Sequence, residues 1–322
     1  MEPQKEPNPN YLPYPSHPQS TDDEIDLREL FNALWKDKWI ILAATIIFGA
    51  CSVAYSLNLP NIYKSDALLA PAESSNGGGL SKMASQLGGL AALAGVDLTS
   101  GQSSQADLAF EVMKSREFIK NFIENHNLKV PLIAATGWEV AQNTLTLNED
   151  IYNAESEEWL REPKGLRGKT PTTLEAVDIF KKNIFSVSKD KDSGLYIVSI
   201  KYYSPYIAQQ WVTWLIEDIN RVMRTRSIEE TKQNLTFLNE QLQQTAVAEM
   251  QNTFYKLIEE QTKSLMLAEV QDEFVFKTID PAVVPEIKDS PKRALICILG
   301  TLFGLILGLL YTATRFFFAK VN

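Results

Sequence analysis

WIILAATIIFGACSVAYSLNL, residues 39–59, carries no charged side chain, and ALICILGTLFGLILGLLY, residues 294–311, repeats that composition near the other end of the chain. A helix of roughly 20 apolar residues crosses the hydrocarbon layer of a membrane, so each stretch is long enough to span it. Two crossings put both termini on one side and residues 60–293 on the other. The sequence therefore predicts a membrane protein whose working part lies between two transmembrane helices.

Basic residues beside the spans predict the orientation. Arg28, Lys36 and Lys38 precede the first span. After it, Lys64 is the close basic residue. Because the cytoplasmic flanks of membrane spans are richer in Lys and Arg, the residues around the first span predict that both termini are cytoplasmic. The flanks of the second span point the other way, and we expect the first helix to dominate because it usually does.

The composition between the spans excludes some partners and suggests a compartment. This region holds roughly 25 Lys and Arg against roughly 32 Asp and Glu, without a basic stripe to neutralise phosphates, so no nucleic acid is expected as a partner. Both cysteines, Cys51 and Cys297, lie within the spans. The exported region therefore has no disulfide and is large enough to fold around its own core. An exported domain without cysteines fits a bacterial periplasm.

The N-terminal region is proline-rich. Residues 1–20 contain six prolines among polar residues, a composition that predicts a disordered cytoplasmic tail. In residues 21–38, Thr21 and Glu24 have capping-box spacing, and apolar residues follow at helical spacing. We expect an amphipathic helix at the cytoplasmic interface there.

Apolar patterns after the first span predict a mixture of strands and helices. Strands are predicted at 63–70 and 274–279, and the second could pair with the first beside the membrane. Residues 107–124 have helical periodicity. Strands at 185–188 and 195–203 are separated by a turn composition and predict a hairpin. The fold class expected is therefore α+β.

Residues 74–104 are rich in small residues and include Asn76-Gly77-Gly78-Gly79. Two interpretations stay open for them, a mobile loop or a flexible element that faces a partner or a lumen. The glycines do not form a phosphate-binding loop, because no G-x4-G-K-[ST] pattern occurs.

A very long helix is predicted over about residues 205–270. Ser204 and Pro205 are a favourable N-cap and first helical residue, and no Pro or Gly follows from 206 to 280. A continuous helix of this length would extend about 100 Å. Its apolar residues recur at heptad-like spacing, which suggests association with another helix. We expect loose lateral packing through four residues: Ile228, Leu235, Leu238 and Leu242. A break near 245–250 is the main alternative.

The approach to the second span is rich in proline, over residues 281–291. Proline fixes φ and lacks an N–H, so this segment is predicted to be extended and stiff. The span itself carries a glycine at every fourth residue, a spacing that lets another helix approach closely. The glycines concerned are Gly300, Gly304 and Gly308. Residues 312–322 are predicted to form a cytoplasmic stub.

Three segments of this chain resemble the Wzz-type polysaccharide co-polymerases, the chain-length determinants of bacterial surface polysaccharides. The stretch from Ile25 to Ile40, with IDLREL, LW and KWI, resembles the opening motif of the family. Residues 115–118, SREF, are similar to a common family segment. The most specific match is the proline-rich motif joined to the glycine-spaced span, formed by Pro281, Pro285, Ser290, Pro291, Lys292 and Arg293. The resemblance extends from about Glu24 to Phe318.

The resemblance implies a periplasmic α/β base domain near the membrane and a very long extended helix. It also implies a homo-oligomeric ring, commonly of eight copies, that works with a Wzy-type polymerase on lipid-linked polysaccharide. We therefore expect a regulator of O-antigen chain length in lipopolysaccharide. The short tail after Tyr311 indicates the class without a kinase domain, although Gly88–Val96 also resembles a segment of kinase-bearing relatives.

Two alternatives remain open: a co-polymerase or export component of a capsule or exopolysaccharide pathway, and a two-span periplasmic sensor. Catalysis is not expected. His17 and His126 are far apart, no thiol lies outside the spans, and no metal-ligand spacing or Ser/His/Asp arrangement is recognisable. We expect no catalytic residue, cofactor or metal.

Overall fold

The computed structural model of the protein describes residue 35, residues 37–72 and residues 105–321. The predicted tail (1–20), most of the predicted interfacial helix (21–38) and the segment 74–104 lie outside the described residues. The chain divides into two compact units, which are treated separately below. One contains the described parts of Met1–Leu57 and Arg293–Asn322, and the other is Asn58–Lys292.

The described residues form helices and strands in the following positions. In chain order the helices are α1 (Lys38–Asn58), α2 (Gln105–Lys114), α3 (Arg116–Asn125), α4 (Lys129–Ala134), α5 (Thr173–Ile179), α6 (Pro205–Gln244), α7 (Ala248–Val270) and α8 (Arg293–Val321). The strands are β1 (Tyr63–Pro71), β2 (Ala135–Glu139), β3 (Thr144–Leu147), β4 (Tyr152–Asn153), β5 (Glu158–Trp159), β6 (Phe185–Lys189), β7 (Tyr196–Tyr202) and β8 (Phe276–Asp280). A π-helical turn, Phe180–Ile184, joins α5 to β6.

Two of these helices are long and apolar enough to cross a membrane. They are Lys38–Asn58 and the Arg293–Arg315 part of α8. The second helix continues without interruption to Val321, past the predicted end of the span at Tyr311, and the cytoplasmic location of the stub at 312–322 stays a prediction. The physical reason is local: no Gly or Pro occurs between Tyr311 and Val321 to end the helix.

The unit Asn58–Lys292 is built on a four-stranded sheet with the order β6-β7-β1-β8. All three strand pairs are antiparallel, with Tyr63 opposite Tyr202 and Ala70 opposite Lys277. The predicted hairpin and the predicted pairing of the 274–279 region with the first strand are both confirmed. Helix α6 packs against β1 and β7 and buries one face there. That face contains Trp211, Val212, Leu215 and Ile219.

The helix predicted over 107–124 is interrupted at Ser115. This residue has an extended backbone and its Oγ accepts a hydrogen bond from the N–H of Phe118 at 3.2 Å, so it serves as the N-cap of α3. The interruption lets α3 turn a strongly apolar face into the core, with Phe122 and Ile123 buried. The prediction of one continuous helix was wrong because an N-cap serine satisfies the backbone donors that such an interruption exposes.

The helix predicted over 205–270 is also not continuous. Ser204 and Pro205 begin α6 as expected, but the helix ends at Gln244, and the backbone is extended at Thr245 and Val247. The alternative of a break near 245–250 is therefore the one that the structure contains. Two β-branched residues at this point favour extended backbone. The carbonyl of Thr245 accepts a hydrogen bond from Nε2 of Gln251 at 2.7 Å, which stabilises the turn.

After the break, α7 returns along α6 to form a helical hairpin. Nη1 of Arg224 donates a hydrogen bond to the carbonyl of Gln271 at 3.1 Å, although 47 residues separate them in sequence. Helix α6 has 40 residues, which corresponds to about 60 Å. The hairpin is consequently shorter than the predicted extension of about 100 Å.

An ion pair attaches the chain segment that connects β2 to α5 to the first turn of α5. Arg161 binds Glu175 through two hydrogen bonds, of 2.6 and 2.9 Å, and most of the surface of both side chains is buried. Glu175 also forms a capping box with Thr172. The pKa of Glu175 is lowered to about 2, chiefly because Arg161 donates hydrogen bonds to the carboxylate. Burial opposes this effect, and the hydrogen bond from the backbone N–H of Thr172 contributes to it.

This pKa predicts a pH-dependent contribution to stability. Because the carboxyl pKa is depressed on folding, its contribution is complete above about pH 4.5 and is lost as the pH falls toward about 2. We expect Glu175→Gln to destabilise the protein by about 1–2 kcal/mol at pH 7 and by much less at pH 3. Thermal unfolding at the two pH values measures this, with the exposed Glu162→Gln as a control. An equal destabilisation at both pH values would contradict the assignment.

Candidate functional site

The three predicted glycines of the second span face the first span of the same chain. A Cβ atom added at Gly300 would overlap the side chain of Ser52. At Gly304 it would lie 2.8 Å from Cβ of Phe48, and at Gly308 it would lie 3.0 Å from Cα of Ile41. These spacings are tighter than normal van der Waals contact, so α1 and α8 approach as closely as they do only because these positions lack a side chain.

Further contacts along the same interface support the helix pair. Gly49 of α1 faces Thr301, so small residues contribute from both helices. The rings of Phe48 and Phe303 meet edge to face with centroids 5.7 Å apart. At the end of the pair, Nη1 of Arg315 lies 3.5 Å from Oδ1 of Asp37. The sequence predicted a packing face at the glycines but did not indicate which helix would occupy it.

The proline-rich segment is attached to the beginning of the sheet by a short clasp, formed by Ile62, Asp289 and Ser290. The Ile62 N–H donates to the carbonyl of Ser290 at 2.9 Å, and the Ile62 carbonyl accepts from the N–H groups of Asp289 and Ser290. Lys201 pairs with Asp289 at 2.9 Å. Along the chain, Ile62 follows α1 by four residues and Ser290 precedes α8 by three. The clasp therefore fixes the distance between the two chain segments that lead to the membrane helices.

The rest of the proline-rich segment has neither helix nor strand and runs beside β1 and α6. The hydroxyl of Ser65 donates to the carbonyl of Val283 at 2.8 Å, and Gln209 donates to the carbonyl of Ala282 at 3.3 Å. These bonds use backbone acceptors, which proline leaves intact. Of the six predicted motif residues, Pro281 and Lys292 are exposed. The other four are half-buried: Pro285, Ser290, Pro291 and Arg293.

The four residues predicted to pack laterally lie on the contact surface between α6 and α7, which is called the seam of the helical hairpin below. Ile228, Leu235, Leu238 and Leu242 are all half-buried within a single chain. Helix α7 packs against α6 and has its own half-buried or buried residues at spacings of three and four, at positions 251, 254, 258, 261, 265 and 268. The seam thus has a partner within the chain. Packing between copies through these four residues stays a prediction.

A charge on the seam is expected to open the hairpin while leaving the sheet intact. Leu238→Asp places a carboxylate on a half-buried face and should cost about 2 kcal/mol locally. We expect faster hydrogen exchange in α7 and unchanged exchange in β7. The neighbouring Phe237 is 59% exposed, so Phe237→Asp is a matched control. If the two variants exchange alike, position 238 does not lie on the seam.

The structure brings together His126 and Asp218, a pair that was not predicted from the sequence. Nε2 of His126 lies 3.0 Å from Oδ2 of the buried Asp218, and the imidazole ring stacks on Trp214 with centroids 4.3 Å apart. The two partners are 92 residues apart in sequence, and no local spacing could have associated them. Among the described residues no group of three or more His, Cys, Asp or Glu is placed to hold a metal ion.

Comparisons with known proteins gave a family match for part of the chain and similarities to solved structures. A search of curated proteins gave no match. A structure described as a full-length bacterial polysaccharide co-polymerase is 15% identical, with a TM-score of 0.38, covering 92% of this chain and 99% of that one. A fragment of WzzB, a polysaccharide co-polymerase from Salmonella Typhimurium, is 13% identical with a TM-score of 0.27, covering 71% and 99%. The family model for the Wzz chain length determinant protein matches residues 23–126.

Proposed function

We propose that this protein is an oligomeric inner-membrane co-polymerase that regulates the chain length of the O-antigen of lipopolysaccharide. The observation that carries the proposal is the match of residues 23–126 to the chain length determinant family. This range contains α1, β1 and the SREF segment at Ser115. A second membrane-length helix, preceded by a proline-rich segment, supports the same function.

In this proposal the protein acts by binding rather than by catalysis. Both ends of Asn58–Lys292 are attached to membrane helices, so this unit would be held at the periplasmic surface where polymerisation takes place. The termini would be cytoplasmic. Contacts with a Wzy-type polymerase, with the lipid-linked polysaccharide, or with both would then determine how many repeat units are added before release. A ring of copies would present the same binding surface several times to one growing polymer.

Deletion and complementation test the proposed pathway. The strain that lacks this protein should lose the modal length of its O-antigen, and expression of the chain should restore it. Capsule and released exopolysaccharide should be sized from the same cultures. A change confined to those polymers would support the capsule or exopolysaccharide alternative and contradict the O-antigen assignment.

The mass of the purified complex tests the sensor alternative. Eight copies of a 36.2 kDa chain would give a complex of about 290 kDa, whereas a sensor is usually a dimer. Mass photometry in detergent or nanodiscs distinguishes the two. A species of two chains would contradict the proposed ring.

A further inference from the structure

The clasp formed by Ile62, Asp289 and Ser290 is close to both membrane helices along the chain. Ile62 comes three residues after the apolar stretch 39–59, and Ser290 comes four residues before the apolar stretch 294–311. An extended chain covers at most about 3.6 Å per residue, so the clasp lies within about 15 Å of each point where the chain leaves the hydrocarbon layer. The headgroup region extends about 5–8 Å beyond that layer on each side. The end of Asn58–Lys292 that carries the clasp must therefore lie at the surface of a membrane that these helices cross.

A highly exposed isoleucine lies beside the clasp. Ile287 is 83% exposed. The next residue, Lys288, donates from Nζ to Oδ1 of Asn61 at 3.2 Å, and the N–H of Asp289 donates to the carbonyl of Ile62 at 2.9 Å. Apolar side chains are disfavoured in water but are stabilised at the boundary between lipid headgroups and acyl chains. The position of Ile287 therefore suits contact with lipid.

An aromatic group lies at the same end of the unit. The ring of Trp138 meets the rings of Tyr63 and Tyr206, with centroids 5.8 and 6.1 Å apart. Tyr63 directly follows Ile62 of the clasp. Tyr206 is exposed, and Val140, two residues beyond Trp138, is 71% exposed. Trp and Tyr are enriched at membrane–water interfaces because their rings combine an apolar body with a polar group.

Two lysines at this end have no carboxylate partner in the described part of the chain. Lys288 is half-buried and Lys292 is exposed. The carboxylate between them in sequence, Asp289, pairs with Lys201 at 2.9 Å. With both termini cytoplasmic, as proposed above, these lysines lie on the exported side and oppose the usual bias of Lys and Arg toward cytoplasmic flanks. Binding to lipid phosphates accounts for them, since ammonium groups are attracted to an anionic membrane surface.

We propose that this end of Asn58–Lys292 is a lipid-binding surface for the anionic phospholipids of the membrane that the two helices cross. Lys288 and Lys292 bind the phosphates, and Ile287, Val140 and Trp138 lie between the headgroups. A protein partner would have to supply both carboxylates and an apolar surface here, whereas phospholipids supply the anionic and the apolar groups together. The contact would fix the height and tilt of the sheet above the membrane, whichever polymer the protein acts on.

Fluorescence of a labelled cysteine tests the apolar part of this surface. The full-length protein with Cys51→Ala/Cys297→Ala is placed in nanodiscs of phosphatidylethanolamine and phosphatidylglycerol, and Ile287→Cys or Val140→Cys is labelled with the fluorophore NBD. We expect blue-shifted emission at both positions, and quenching by lipids with a nitroxide next to the headgroup at least about twofold stronger than at a control position. The control is Val247→Cys, because Val247 is 56% exposed but follows the 40-residue helix α6, which is about 60 Å long.

Substitution of the lysines tests the binding of phosphates. Nitroxide-labelled phosphatidylglycerol should quench the label at Ile287→Cys more strongly than nitroxide-labelled phosphatidylcholine does. Lys288→Gln/Lys292→Gln should reduce this preference severalfold, because one lysine near an anionic surface changes the affinity by about fivefold. The control Lys232→Gln/Lys256→Gln changes two exposed lysines, one on α6 and one on α7, and should keep the preference.

Water-like emission without quenching at either Ile287→Cys or Val140→Cys would overturn the proposal. Blue-shifted emission without quenching by lipid would also overturn it, because it would indicate burial between protein chains. An unchanged lipid preference in Lys288→Gln/Lys292→Gln would show that these lysines do not bind the phosphates and would overturn the assignment as well. Control of glycan length is measured separately and does not depend on any of these results.

Discussion

Gly304→Leu is expected to separate the two membrane helices and to abolish normal control of glycan length. A Cβ at this position would lie 2.8 Å from Cβ of Phe48, 3.1 Å from the carbonyl oxygen of Ala44 and 3.2 Å from Cα of Thr45. Two of these neighbours are backbone atoms, which cannot rotate away. A leucine therefore requires the helices to move apart, which should cost about 2 kcal/mol or more and remove the contacts on either side.

Cross-linking measures this separation directly. Cysteines at Phe48 and Phe303, whose rings lie 5.7 Å apart, should be joined by a short bifunctional thiol reagent. The background is Cys51→Ala/Cys297→Ala, because both native cysteines are free. Gly304→Leu should prevent the cross-link, whereas Ala294→Leu, at an exposed position of α8, should not. Retained cross-linking and a normal glycan length in Gly304→Leu would disprove the role assigned to this face.

Asn220→Ala is expected to be the most destabilising single change among the polar residues of the base. Asn220 is 4% exposed and connects α6 to the start of β8. Its Oδ1 accepts from the N–H groups of Val275 and Phe276 at 2.9 and 3.0 Å, and its Nδ2 donates to the carbonyl of Phe276 at 3.0 Å. Alanine would leave three buried backbone groups without partners. We expect a loss of at least about 3 kcal/mol, since each such group costs about 1–3 kcal/mol.

Thermal unfolding and hydrogen exchange of the full-length protein measure this effect. The apparent melting temperature should fall, and exchange should increase first in residues 275–280, because β8 loses its attachment to α6. Asn239→Ala is a suitable control, since Asn239 is exposed on the same helix and donates to the carbonyl of Leu235 four residues earlier. Equal losses in the two variants would show that Asn220 does not have the structural role assigned to it.

Sequence patterns predicted the parts of the fold that are determined by interactions between residues close together in the chain. The apolar spans appear as helices within a residue or so of their predicted starts, and Ser204 with Pro205 begins α6. The hairpin between β6 and β7 follows from two β-rich runs around a turn composition. Each of these features is encoded by residues that are close together in the chain.

The errors arise where the outcome depends on distant partners. A heptad-like repeat at Leu235 and Leu242 indicates that a partner helix exists, but it does not indicate whether that helix belongs to the same chain. The break at Thr245 brings α7 back as the partner. The clasp at Ile62 and Ser290 and the bonds of Asn220 join residues separated by more than 50 positions. Periodicity contains no information about such contacts.

The candidate site, like the fold, was predictable only where neighbouring residues determine it. The glycine spacing marked the packing face on α8, and the proline-rich segment marked the approach to the membrane. The pair of His126 and Asp218 was not predictable, because 92 residues separate the two side chains in sequence.

The most direct measurement of the central claim is the distribution of repeat-unit numbers in the surface glycan of a deletion strain with and without this chain. Lipopolysaccharide separated on a gel gives that distribution. We predict that the deletion strain has a random ladder and that the chain restores a cluster of bands around one modal length. If the distributions of lipopolysaccharide, capsule and exopolysaccharide are all identical with and without the chain, the protein does not control polysaccharide length.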